Sequence, residues 1–154
     1  MTRPAPMPTP GPNSDMNFFA YGSLVFGEVM TAVTGRHYES VSATLKGYAR
    51  YRVHNASYPG LVQSAGDTVG GAFYPDVAAV SFRLLDRFEG EYYARRSISV
   101  QMKHNDAVAA ETFVFRPEHR HLLSPEEWNR EDFRTSHLQA FLDTYKGFSW
   151  IQSA

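Results

Sequence analysis

The 154-residue chain contains no cysteine. Disulfides, thiolate nucleophiles and cysteine-based zinc sites are therefore excluded, and we expect a protein of a reducing compartment, the cytoplasm. The chain also lacks an excess of either charge, since 15 basic side chains stand against 16 acidic ones. Because no net field attracts polyanions, we expect neither a nucleic-acid partner nor a membrane partner.

Long apolar runs are also missing, because none approaches the roughly 18 residues of a membrane-spanning helix. Residues 1–15 hold five of the nine prolines and lack the apolar centre of a secretory signal peptide. They are predicted to form a disordered tail. Residues 16–150 are predicted to form one globular domain, since 43% of the chain is hydrophobic and 14% is aromatic.

Hydrophobic periodicity predicts strands and helices in the first half of the domain. Residues 16–20 have the composition of a buried strand, and residues 25–34 can form a short helix that Gly35 ends. Residues 41–53 alternate as strands do, with Gly47 marking a bend or a turn between two strands. A turn over residues 64–67 would join two further strands as a hairpin.

The most regular helical pattern follows Asp76, a predicted N-cap, and ends at Gly90. A turn at residues 104–106 is expected to join the strands of another hairpin. Residues 124–127, SPEE, have the pattern of a helix start, and a last helix should stop near Gly147. Together these elements indicate an α+β domain with a largely antiparallel sheet that can close into a barrel.

Two stretches carry residues suited to chemistry, and the first is Tyr21-Gly22-Ser23-Leu24. Gly22 can adopt backbone angles closed to other residues, and the Ser23 hydroxyl can turn back on the chain. Consecutive amides would then form a nest for an anionic oxygen, assisted by a helix that starts at Val25. An ordinary strand-to-helix turn is the alternative interpretation.

The second stretch is LLDRFEGEYYARR, residues 84–96, in which Glu89 lies at the C-terminal end of the predicted helix. Burial among aromatic groups and the negative end of the helix dipole both raise the pKa of such a carboxyl. A carboxyl of this kind suits proton transfer near neutral pH. An ion pair with Arg95 or Arg96 would oppose the shift, and a solvated carboxylate at the helix end is the alternative.

Three other patterns indicate structure rather than a site. His119, His121 and His137 lack a recognised metal-ligand spacing, so no metal is expected. Ser23 lacks the G-x-S-x-G elbow of a serine hydrolase. YARYRVH, residues 48–54, alternates as an RNA-binding strand can, but a strand with one buried face explains the same alternation.

The motif FAYGSL, followed by LDRFEGEYYARRSISV, resembles the γ-glutamylcyclotransferase-like superfamily, particularly its plant avirulence-induced branch and bacterial relatives. The resemblance runs over residues 16–148 and includes YPGLV, GGAFYPD, FVFRPE and EEWNREDF. It implies a mixed, largely antiparallel β-barrel with flanking helices. It also implies roles for five residues: Glu89 as the acid/base, and Tyr21, Gly22, Ser23 and Leu24 as the lining of the substrate cavity.

Known members of this superfamily act on γ-glutamyl compounds and release 5-oxoproline with an amine or amino acid. The resemblance therefore implies an intramolecular acyl transfer on a small-molecule γ-glutamyl substrate, with neither metal nor cofactor. Phe113 is a departure, because members often carry tyrosine there, and a hydroxyl contact would be missing. A non-catalytic protein that binds small molecules or partners with the same cavity is the alternative function.

Overall fold

The computed structural model describes residues 15–144. Within this range the strands are β1 (Met16–Ala20), β2 (Val41–Val53), β3 (Pro59–Val77), β4 (Tyr93–Gln101), β5 (Ala107–Phe115) and β6 (Leu123–Glu127). The helices are α1 (Gly27–Thr34), α2 (Ala79–Glu89) and α3 (Arg130–Ser136), and residues 138–144 are again helical. The predictions of a disordered tail and of a helix end near Gly147 fall outside the described residues.

Five strands close into a ring in the order β3, β1, β5, β4 and β2, with β2 pairing back to β3. β6 extends the sheet from β2. Neighbouring strands run antiparallel except β1 and β5, which run parallel. A closed ring leaves none of its strands with an unpaired edge. The predicted α+β class, a mixed and largely antiparallel barrel with flanking helices, is confirmed.

The longest hairpin differs from the predicted one. β2 pairs along its length with β3, and residues 64–67 form a bulge inside β3 rather than a turn between two strands. Lys46 pairs with Thr68 and Tyr48 with Gln63, so four residues of β3 lie opposite Gly47 alone. Gly47 therefore bends β2 instead of dividing it, at a left-handed φ of 84° that favours glycine.

Helix α2 confirms the strongest helical pattern, and Gly90 ends it as predicted. The predicted N-cap is wrong, because Asp76 belongs to β3 and its amide donates to Asn17 Oδ1 at 3.1 Å. Helix α1 begins at Gly27 and not at Val25, since a separate 3-10 turn over Ser23–Val25 comes first.

Residues 124–127 are the other misassigned segment, because they belong to β6 and do not begin a helix. The Ser124 hydroxyl donates to Arg52 O at 2.7 Å instead of capping a helix. The actual cap of α3 is Asn129, whose side chain accepts a hydrogen bond from Asp132 N at 3.0 Å. The predicted β4–β5 hairpin is confirmed.

An aromatic core joins the barrel to its helices. Phe18 stands at its centre, with its ring 6.1 Å from Tyr74, 5.9 Å from Phe82 and 5.9 Å from Phe113. These rings connect β1, β3, α2 and β5, so the end of β1 is fixed relative to α2. None of the helices among the described residues has the length and apolar character needed to cross a membrane.

Candidate active site

A cavity of about 370 Å³ lies between the end of β1 and the end of α2. This volume falls in the range of small-molecule sites. Its lining is largely aromatic and includes Phe18, Tyr58, Tyr92, Tyr93 and Phe113. The structure brings all the residues singled out from the sequence to this cavity, namely Tyr21, Gly22, Ser23, Leu24 and Glu89.

The turn after β1 requires glycine because two segments approach each other closely. A Cβ atom on Gly22 would lie 2.9 Å from both Cγ and Cδ of Pro59, whose ring is tied to the backbone. The φ of Gly22 is −120°, outside the left-handed region. Its ψ is −135°, and the close approach of Pro59 explains why this position requires glycine.

Hydrogen bonds to three strands hold this turn. Arg50 Nη1 on β2 donates to Tyr21 O at 2.8 Å. The Tyr74 hydroxyl on β3 donates to Leu24 O at 2.7 Å. The Tyr21 hydroxyl in turn donates to Phe113 O on β5 at 2.6 Å. The turn is thus anchored at both of its ends.

The hydrogen bonds inside the turn use its carbonyl groups and leave its first amides available. Val25 N donates to Gly22 O at 3.0 Å, and Phe26 N donates to Ser23 O at 3.2 Å. Within residues 15–144 the amides of Gly22, Ser23 and Leu24 do not donate to any backbone carbonyl. The Ser23 hydroxyl also has no partner in this range, so it does not turn back on the chain as predicted. Donors at the cavity wall can therefore meet an anionic oxygen.

Glu89 is the last residue of α2, and its side chain is partly buried in the cavity wall. Burial raises the pKa of its carboxyl to about 8. Arg95 does not oppose this shift, since it lies 3.5 Å from Asp86 and 3.7 Å from Glu111. Arg96 donates to a backbone carbonyl instead. Near neutral pH the Glu89 carboxyl therefore titrates without an ion-pair partner in the described part of the chain.

Two tyrosine hydroxyls at the cavity do not compete with Glu89 for this role. Burial, and then the nearby Glu89 carboxylate, raise the pKa of Tyr21 and of Tyr93 above the usual value of tyrosine. Both hydroxyls already donate to backbone carbonyls, and that of Tyr93 bonds Pro59 O at 2.8 Å. They stay protonated and shape the cavity, so Glu89 is the group suited to exchanging a proton there.

Sequence reasoning missed Arg50 and Pro59 as supports of the site. YPGLV was part of the family resemblance, but no local pattern shows that its proline packs on Gly22. Arg50 lies in the alternating segment YARYRVH, where a basic residue on a polar strand face is ordinary. Its contact with Tyr21 O depends on how β1 and β2 meet, and strand periodicity does not contain that information.

The closed barrel with its flanking helices has a cyclotransferase-like fold. In fold it is similar to a solved gamma-glutamyl cyclotransferase, with a TM-score of 0.60, 14% identity and 86% of each chain covered. The family model described as "Gamma-glutamyl cyclotransferase, AIG2-like" matches residues 18–130, and the chain belongs to this family. The resemblance noted from the paired motifs is thereby confirmed.

Plant relatives agree with this assignment. Protein AIG2 C of Arabidopsis thaliana is 30% identical over 131 residues, which are 84% of this chain and 79% of that protein. AIG2-like protein A of the same plant is 31% identical over 134 residues, with the same coverage. A solution structure of an Arabidopsis thaliana protein is similar with a TM-score of 0.66 and 29% identity, covering 95% of this chain and 88% of that one.

Proposed function

We propose that this protein is a γ-glutamylcyclotransferase-type acyltransferase, which closes a γ-glutamyl group to 5-oxoproline and releases an amine or amino acid. The observation that carries the proposal is a carboxyl with a pKa of about 8 in a cavity whose wall includes Gly22, Ser23 and Leu24, three residues whose amides have no acceptor among residues 15–144. The carboxyl can accept and release a proton near neutral pH. The amides are donors for a developing negative charge.

The reaction begins with a proton transfer. The α-amine of a γ-glutamyl compound is an ammonium at neutral pH and cannot attack until it loses a proton. The Glu89 carboxylate accepts this proton. A pKa of about 8 brings the Glu89 carboxyl much closer to that of the substrate ammonium than the usual 4.5 of glutamate, so the transfer costs less free energy.

Ring closure then forms one bond and breaks another. The free amine attacks the γ-carbonyl carbon of the same molecule, which produces a tetrahedral oxyanion. Amides of the turn over Gly22, Ser23 and Leu24 would stabilise either this oxyanion or the α-carboxylate of the substrate. The carbon–nitrogen bond to the leaving amine breaks as the Glu89 carboxylic acid protonates that amine. The ring nitrogen gives its second proton to the regenerated Glu89 carboxylate, which passes it to the released amine, so 5-oxoproline and an ammonium leave. The nucleophile belongs to the substrate, so no side chain is acylated.

Phe113 favours a second candidate function, a non-catalytic protein that binds small molecules in the same cavity. Its ring lines the cavity and carries no hydroxyl, so this side chain offers a ligand no hydrogen bond. Both candidates require a ligand to enter the cavity. Turnover distinguishes them.

The test is release of 5-oxoproline from a panel of γ-glutamyl peptides and amines by purified protein. Glu89→Gln retains the size of the side chain but cannot accept a proton. We expect this variant to bind the best substrate normally and to lose about 10²-fold or more in single-turnover rate. Glu28→Gln is the matched control, because Glu28 is exposed in the first turn of α1.

Two results would contradict the proposal. Full turnover by a folded Glu89→Gln protein would remove Glu89 from the proton transfers. Ligand binding by the wild type without 5-oxoproline from any member of the panel would favour the binding protein instead.

A further inference from the structure

Arg50 is a second charged group connected to the candidate site, although it does not line the cavity. Its side chain is only 14% exposed. The guanidinium lies 5.2 Å from the centre of the Trp128 ring, and Glu127 Oε1 is 4.0 Å from Nη2. The hydrogen bonds of Arg50 go to two backbone carbonyls, that of Tyr21 just after β1 and that of Gly70 in β3.

The contact falls where the pairing of β1 with β3 ends. The last pair of that ladder joins Ala20 to Ala72. Beyond it, Arg50 Nη1 donates to one carbonyl from each segment, at 2.8 Å to Tyr21 O and at 3.2 Å to Gly70 O. Beyond the last backbone pair, the Arg50 guanidinium therefore bridges the two segments just before the turn.

Tyr21 O and the amide of Gly22 belong to the same peptide group. Because the carbon–nitrogen bond has partial double-bond character, a cation at the oxygen draws electron density from the nitrogen. The N–H then becomes a stronger donor. In a trans peptide the N–H points away from the carbonyl oxygen, so the Gly22 amide points away from Arg50. Gly22 lines the cavity, and its amide has no acceptor among residues 15–144.

We propose that Arg50 is a positioning residue that acts through the Tyr21–Gly22 peptide, fixing the turn and strengthening the Gly22 amide as a donor to an anionic oxygen of the ligand. That oxygen belongs either to the α-carboxylate or to the oxyanion formed at the γ-carbonyl, an assignment that rests on the proposed function. The cation itself stays out of the cavity, so it does not form an ion pair with Glu89.

A purely structural clamp would give the opposite result in one measurement, the hydrogen exchange of the Gly22 amide without ligand. Hydroxide removes the amide proton and leaves a negative charge shared with Tyr21 O, where Arg50 stabilises it. Loss of the cation therefore slows this exchange. Loss of a clamp would loosen the turn and speed the exchange.

The experiment compares Arg50→Gln and Arg50→Lys with the wild type by ¹⁵N NMR in the ligand-free protein. We expect exchange of the Gly22 amide to slow by about ten-fold in the Gln variant, equivalent to one unit in the pKa of the amide. The Lys variant retains the charge and should stay within about three-fold of the wild type. Arg52→Gln is the control: Arg52 lies on the same strand, and its half-exposed side chain pairs with Glu126.

If Arg50→Gln does not fold, Arg50→Met provides the same comparison, because its apolar side chain preserves packing on Trp128. Exchange that is unchanged or faster in the folded variant would overturn the inference. This result is independent of turnover, so it can fail while the proposed function stands, or the reverse.

Ligand measurements identify the oxygen that the amide meets. Binding of 5-oxoproline, followed by NMR, should weaken about ten-fold in Arg50→Gln if the carboxylate is bound. An unchanged affinity with a kcat about 10²-fold lower would assign the oxyanion. If both quantities match the wild type, Arg50 has no positioning role in this site.

Discussion

The carboxyl of Glu89 affects the stability of the fold as well as its chemistry. Its pKa rises from 4.5 to about 8 because burial disfavours the charged form. Between these two values the unfolded chain has lost this proton and the folded chain retains it. The free energy of unfolding contributed by this group is therefore highest below pH 4.5, falls as the pH rises towards 8, and is level above that.

Glu89→Gln should remove this dependence, because the amide is neutral at every pH. Near pH 4 the variant and the wild type should be about equally stable. At pH 9 the variant should be more stable by about 2 kcal/mol or more. Urea denaturation at both pH values measures the difference, in which the contributions of other titrating groups cancel. A difference that does not change with pH would mean that Glu89 is solvated in the folded protein.

The turn between β1 and α1 offers a matched pair of glycine substitutions. Gly22→Ala places a Cβ atom 2.9 Å from the Pro59 ring, which cannot rotate away. We expect it to lower the free energy of unfolding by about 1 to 3 kcal/mol and to reduce ligand binding, because the turn must shift. Thermal denaturation and titration with 5-oxoproline measure the two effects.

Gly27→Ala is the control for that substitution. Gly27 is the first residue of α1, and a Cβ atom there would have no neighbour within 4 Å. Alanine at this position should be neutral or stabilising by up to about 1 kcal/mol. Equal effects of the two substitutions would show that contact with Pro59 does not determine the need for glycine.

Helices and strands whose pattern lies within their own residues could be predicted from sequence. Those that depend on a partner distant in the chain could not. The apolar stripe of α2 and its terminal Gly90 are both local. The segment 64–67 also has a true turn signal, since the Ser64 hydroxyl bonds Asp67 and Gly66 has a φ of 86°. What the sequence does not reveal is that β2 continues beside it, so that the turn becomes a bulge. The helix start predicted at Ser124 is wrong for a similar reason, because the Ser124 hydroxyl donates to Arg52 O on β2 instead.

The candidate site likewise contains residues that sequence motifs indicate and residues that only the fold brings together. Glu89 and the turn at residues 21–24 came from motifs that resemble a known family, and the structure brings them to one cavity. Arg50 and Pro59 support that turn through contacts with Tyr21 and Gly22 across the barrel. Such contacts leave no periodicity or spacing in the chain, so only the folded structure reveals them.

Closure of the whole barrel depends on the seam between β1 and β5. Phe18 pairs with Glu111 there, and the fully buried Thr112 donates from its hydroxyl to Phe19 O at 2.8 Å. Thr112→Val keeps the shape of the side chain but leaves that carbonyl without its donor. We expect a loss of about 1 to 2 kcal/mol in the free energy of unfolding.

The kinetics of Thr112→Val should show when the seam forms. Contacts between residues far apart in sequence have a high entropic cost, so the seam is expected to close late in folding. The substitution should then speed unfolding and leave the folding rate almost unchanged, as stopped-flow chevron plots would record. Thr68→Val, at an exposed position of β3, is the control and should change stability by less than about 0.5 kcal/mol. Slower folding of Thr112→Val would place the seam in the folding nucleus.

The same seam sets a delay during biosynthesis. The hydroxyl of Tyr21 and its acceptor in β5 are separated by 92 positions. At the usual 5 to 20 residues per second, a ribosome needs roughly 5 to 20 s to make the chain between them. For that time β1, with Phe18 and Phe19 that the finished barrel buries, has no β5 to pair with. The nascent chain therefore presents a short aggregation-prone strand, and the cavity forms only after β5 has left the ribosome.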